Sequence, residues 1–149
     1  MPHCSLPGRM AGWIAGALAG AASTGVMTLL ELAVRSQWGA ESLLDWRINQ
    51  ATVARLTRRP PDRVMLGGLA MHLSHGLVAG VAFALILPVF PRSFPVVVLG
   101  LGYGVVLFVL TLAVVRLVIG RVRESRAVAV VLVTHLVYGA VLAYLLMWF

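Results

Sequence analysis

The chain has 149 residues; 60% are apolar and only 11% are Asp, Glu, Lys or Arg, against about 25% charged in an ordinary soluble domain. A soluble domain of this size cannot bury so much apolar surface, which excludes a soluble globular protein, and a disordered chain is far more polar. With a net charge of +7, Arg as its sole strongly basic residue type and a mean hydropathy of +0.96, the sequence describes a small basic integral membrane protein.

A helical span needs about 20 apolar residues. Four stretches meet that length: residues 10–34, 65–87, 96–119 and 127–149. The first carries small residues at every fourth position, Gly12, Gly16, Gly20, Thr24 and Thr28, and has Glu31 near its end. Arg9 and the small residues Ala19 to Ser23 give this region the flavour of a signal peptide. Its apolar run is too long for a signal-peptide core and right for an uncleaved span. The single Cys4 excludes an internal disulfide.

The loop 35–64 is the one sizeable segment outside the spans, and it holds Arg35, Arg47, Arg55, Arg58, Arg59 and Arg63. Ser42 is a plausible N-cap for a helix over 43–57, ended by Arg58-Arg59-Pro60-Pro61. Leu43, Trp46, Val53 and Ala54 share a side of that helix, but Arg47 and Gln50 fall among them, so a lipid-facing surface is weakly supported. Arg47, Arg55, Arg58 and Arg59, with Arg121, Arg123 and Arg126 further on, are assigned to anionic lipid headgroups at ~1 kcal/mol each. Nucleic acid is not expected as a partner, because these residues are spread along a loop beside Glu41, Asp45 and Asp62.

The second span contains His72 and His75 within the row Gly68, His72, Gly76, Gly80, Ala84. The proline-rich turn Pro88 to Pro95 stops it and starts the third span, which carries Gly100, Gly104 and, near its end, Arg116. Residues 120–126 lead into the fourth span, with His135, Gly139 and Ala143 in one row. Both connections are short enough to force antiparallel neighbours. The expected fold is an all-α, four-transmembrane-helix antiparallel bundle forming a single domain. Arg is concentrated in the first and third loops, which puts both termini outside and the basic loops inside a bacterial inner membrane. Gly12, Gly16, Gly20, Gly76, Gly80, Gly100, Gly104 and Gly139 are the expected helix seams, since small residues let helices approach in lipid.

The segments His72-Leu-Ser-His-Gly-Leu-Val and His135-Leu-Val-Tyr-Gly-Ala-Val share the pattern H-L-x-[HY]-G-x-V. They suggest a tandem duplication of a two-helix unit. The topology also gathers Glu31, His72, His75, His135 and Arg116 into the inner half of the membrane. Glu31 pairing with Arg35 at the interface, and Arg116 snorkelling, are the plainer readings; a Glu31–Arg116 pair is the sharper one. For the histidines, hydrogen bonding between helices is the plain reading. A divalent metal held by His72, His75, His135 and Glu31 is an alternative, as is a haem with His72 and His135 as axial ligands. A proton-coupled path through Glu31 and the histidines is a third. No catalytic constellation is present, so an enzyme is not expected unless a bound metal or cofactor supplies the chemistry.

Gly67-Gly-Leu-Ala-Met-His-Leu73, followed by Gly76 and Val81-Ala-Phe-Ala-Leu85, resembles the second span of small uncharacterised bacterial four-span membrane proteins. In those a Met-His pair precedes a glycine and a Phe/Tyr-Ala-Leu stretch. Met27-Thr28-Leu29 is similar to their first span, whereas His75 and the proline-rich turn depart from the pattern. The resemblance implies a four-helix inner-membrane protein with no established activity. The leading expectation is a non-enzymatic accessory or scaffold subunit, with other membrane subunits or a second copy as partner. The alternatives are a haem or metal module for electron transfer or ion handling, and a small proton-coupled transporter acting as an oligomer.

Overall fold

A computed structural model describes residues 12–38, 44–91, 93–120 and 125–149. These form α1 (Gly12–Trp38), α2 (Leu44–Thr57), α3 (Met65–Ile86), α4 (Val96–Val118) and α5 (Ser125–Leu146), with no strand among the described residues. Four segments are long and apolar enough to cross a bilayer, Gly12–Trp38, Pro61–Val89, Val96–Val118 and Ser125–Leu146. The chain is a multi-pass, all-α membrane protein. The first helix runs one turn past the expected residue 34 to Trp38, with the Ser36 hydroxyl satisfied by the Ala33 carbonyl at 2.7 Å. The fourth span begins at Ser125 and ends at Leu146, slightly ahead of the expected 127–149.

Close backbone approach organises the bundle into two pairs. In the α1–α3 pair, a Cβ added to Gly80 would strike the Gly16 carbonyl and come within 2.6 Å of the Gly20 Cα. One at Gly16 would lie 2.7 Å from Ala84 Cβ, and one at Gly20 would strike the Gly76 carbonyl. In the α4–α5 pair, Gly100 meets the Gly139 carbonyl and Gly104 meets that of His135. With no hydrophobic force between helices in lipid, contact at this range is the chief attraction available. A Cβ at Gly12 would meet open space, so the seam stops short of that end. The α5 helix joins the two pairs by packing on α1 as well as α4. It carries the longest buried list of the spans, including Val131, Thr134, Tyr138, Leu142 and Ala143.

The α2 helix lies across one end of the bundle, hereafter the basic end. It packs on α3, α4 and α5 through Leu44, Asp45, Ile48 and Asn49. Leu44 and Ile48 join Val115, Ala127 and Val131 in an apolar cluster. The lipid-facing helix expected from Leu43, Trp46, Val53 and Ala54 is therefore corrected over its described residues: the buried face is Leu44, Asp45, Ile48 and Asn49, which includes an acid and an amide, and Leu43 lies outside the described residues. The expected cap, Ser42, lies outside the described residues. Arg58 ends α2 with a left-handed φ of 54°, and the Arg59 N–H reaches the Ala54 carbonyl at 3.2 Å. That is the helix-ending turn in which glycine is the usual occupant. Gly120 plays the same part after α4, with φ 101° and its N–H 3.1 Å from the Val115 carbonyl.

Gly80→Ala is expected to destabilise the protein by about 1–3 kcal/mol, because backbone atoms of α1 block the new methyl. Gly12→Ala should be neutral or slightly stabilising. Thermal unfolding in one mild detergent, followed by helical circular dichroism, compares the two.

Candidate functional site

The two helix pairs each place a histidine one turn from a glycine seam, His72 before Gly76 and His135 before Gly139. The N-terminus of α2 sits between them, and both histidines meet carboxyl groups there. His72 Nε2 is 3.8 Å from Glu31 Oε2, and His135 Nδ1 is 3.9 Å from Asp45 Oδ2. Glu31 is 2% exposed and accepts a hydrogen bond from Trp46 Nε1 at 2.8 Å. Asp45 stands in the first turn of α2, where the unpaired backbone N–H groups favour a negative charge.

Hydrogen bonding separates the two imidazoles. His135 has both ring nitrogens engaged: Nδ1 donates to the Val131 carbonyl at 2.8 Å, so Nε2 accepts from the Thr111 hydroxyl at 3.0 Å. His72 Nδ1 lies 3.4 Å from the Asn49 amide nitrogen, which donates to it. A neutral His72 then carries its proton on Nε2, which has no hydrogen-bond partner. Asp45 Oδ2 is likewise buried and without a hydrogen-bond partner. A buried polar atom left unmade costs roughly 1–3 kcal/mol, so two at one place call for an explanation.

Both atoms belong to residues that line a cleft of about 600 Å³ between α3 and α4. These helices meet towards the proline-rich turn, where the Tyr103 hydroxyl donates to the Ala79 carbonyl at 2.8 Å and its ring lies 5.0 Å from that of Phe83. Nearer the basic end they part. The back wall is Thr24 and Met27 of α1 with His135 and Tyr138 of α5; the floor is α2. Val78, Leu110 and Val114 line the cleft and are exposed, so its mouth faces sideways, where a bilayer would lie. The volume is in the range of small-molecule sites, roughly 300–1,000 Å³.

The residues singled out in the sequence fall into distinct places. His72, His135 and Glu31 are buried around the α2 N-terminus, and His75 is exposed at the cleft. Among the described residues no group of three or more His, Cys, Asp or Glu side chains is arranged to hold a metal ion. The small residues flanking each histidine are filled by neighbouring helices, Gly76 by Thr24 and Gly139 by Gly100. Arg35 and Arg116 are exposed, whereas Glu31 faces Trp46 and His72. Arg47, Arg55, Arg58, Arg59 and Arg126 are exposed, and Arg55 also donates to the Val118 carbonyl at 2.7 Å, capping α4. Arg121 and Arg123 lie outside the described residues. Sequence reasoning missed Asp45, Trp46, Asn49, Tyr103 and Thr111 as parts of the site. The signal for the first three was the poor amphipathicity of α2, since a helix covering a polar cluster must bury polar groups.

A sequence model described as a family of unknown function (DUF6789) matches residues 10–149, and the chain belongs to that family. No curated protein and no solved structure shows significant similarity to it.

Trp46→Phe removes the donor to Glu31 and leaves a buried acceptor unpaired. It should lower stability by about 1–3 kcal/mol, measured by thermal unfolding in mild detergent.

Proposed function

We propose that this member of the family is a non-enzymatic membrane protein that binds a small amphiphilic molecule, admitted from the bilayer between α3 and α4. The observation that carries the reading is the cleft itself: apolar walls and a sideways mouth, with Asp45 Oδ2 and His72 Nε2 unpaired at its polar end. Those are the features of a small-molecule site, mostly apolar with a few convergent polar groups. The body of the ligand replaces lipid along Val78, Leu110 and Val114, and its polar end supplies the missing hydrogen bonds.

The Arg bias towards α2 and its neighbouring loops supports an orientation with the basic end at the cytoplasmic face of a bacterial inner membrane and both termini outside. The mouth then opens to the inner leaflet, and exposed Arg47, Arg58, Arg59 and Arg126 sit at the level of anionic headgroups. The accessory-subunit reading drew on the small-residue rows. Seven of the eight seam glycines named from the sequence meet helices of the same chain, so those rows do not argue for a partner surface. A haem or metal module is less favoured, because His135 would have to give up its bond from Thr111 to become a ligand.

Native mass spectrometry from a mild detergent tests the proposal. Wild-type protein should retain a bound small amphiphile, and Val78→Trp combined with Val114→Trp, which fills the mouth, should lose it. An adduct-free wild type, or equal retention by both proteins, would overturn the reading.

A further inference from the structure

The charge around the cleft narrows the class of ligand. Glu31 and Asp45 are 2% and 6% exposed, and each has an imidazole, not a guanidinium, as its nearest ionisable neighbour of opposite potential. The groups facing this pair can be named by element. On α1, Arg35 lies one turn beyond Glu31 and is exposed; α2 brings Asp45 itself, with Trp46 and Asn49 beside it and the exposed Arg47 two residues on. On α3 there are His72 and the exposed His75; α4 has exposed Arg116, and α5 has His135 with exposed Arg126. No arginine lines the cleft among the described residues.

Buried charge in a low-dielectric site must be balanced by a counter-charge or a proton. An anionic ligand, such as a fatty acid or a lipid phosphate, would add to the imbalance. A bare divalent ion needs several convergent donors, and among the described residues no group of three or more is arranged to hold one. A diffuse organic cation needs only neighbouring negative charge and polarisable walls. Tyr103 and Tyr138 line the cleft with their hydroxyls already spent on the carbonyls of Ala79 and Gly76, so they add aromatic rather than hydroxyl surface to its walls. Aromatic rings attract a desolvated cation. Asp45 Oδ2 then gains a counter-ion at the place where it lacks a partner.

We infer that the cleft between α3 and α4 binds lipophilic organic cations, with the cationic centre held by Asp45 at the polar end of the cleft. This rests on the amphiphile-binding reading and assigns the ligand's charge. His72 Nε2 serves as a positioning donor to any acceptor the ligand carries. The apolar substituents of the cation lie along Val78, Leu110 and Val114 and reach the bilayer through the mouth.

The test measures equilibrium binding of tetraphenylphosphonium and of its uncharged isostere, tetraphenylsilane, to the full chain in phosphatidylcholine nanodiscs, with empty discs subtracted. Wild type should bind the cation saturably and at least about tenfold more tightly than the isostere, the discrimination expected of one desolvated charge contact. Asp45→Asn should reduce that preference. Equal affinity for the two probes would overturn the cationic assignment and leave the amphiphile-binding reading standing. Saturable binding of neither probe would overturn both. A preference undiminished in folded Asp45→Asn protein would also overturn the assignment. The comparison of the two probes on wild type needs no variant, so it decides the matter even if a substitution prevents folding.

Discussion

Burial of two carboxyl groups in a membrane bundle is the constraint on which the rest of this structure depends. Glu31 lies two turns before the end of α1 and Asp45 stands in the first turn of α2, and both are covered by protein. Burying such groups without compensation is costly, so the surrounding elements are arranged to answer them. Trp46 donates to one, and the other stands in the first turn of α2, where the helix dipole favours negative charge. A histidine from each helix pair completes the cluster. The position of α2 across the basic end follows from this: a polar face of Asp45 and Asn49 is tolerable at a buried interface only where polar partners await it.

The glycine seams supply the geometry that the cluster needs. Contact of α1 with α3 at Gly16, Gly20, Gly76 and Gly80, and of α4 with α5 at Gly100, Gly104 and Gly139, makes two tight pairs. In each pair the histidine four residues before a seam glycine is turned towards α2. The likeness of the two pairs matches the repeated H-L-x-[HY]-G-x-V pattern, and the variable position in that pattern accounts for their difference. Tyr138 is buried and bonds to the Gly76 carbonyl at 2.6 Å, so it ties the second pair to the first. His75, at the corresponding place, is exposed at the cleft. The pairs join through α1 and α5, and α3 and α4 are left apart at the basic end. The cleft is thus a consequence of which helices carry facing glycines.

Much of this fold was legible in the sequence, because span length, proline position and small-residue spacing are local properties. The glycine rows at Gly76, Gly80 and Gly139 identified the contacting faces before any partner was known. The site was legible in part. Glu31, His72 and His135 stand out because an ionisable residue in an apolar span is conspicuous. Asp45 and Asn49 do not, since a polar residue in a polar loop looks ordinary until the loop helix is found to be covered. Thr111 and Tyr103 are equally silent, because their roles depend on which helix faces α4 and on where α3 diverges from it. The choice of Glu31 partner was misjudged for the same reason: Arg35 is near in sequence, whereas Trp46 and His72 arrive through the packing of α2 and α3.

The most direct measurement is an experimental structure of the protein in complex with a bromine-tagged lipophilic cation, with the bromine located by its anomalous scattering. One ordered peak inside the cleft, with the cationic centre against Asp45, is the predicted result. Bromine found only on the outer lipid-facing surfaces, with the cleft closed by side chains or filled by another part of the chain, would contradict the account.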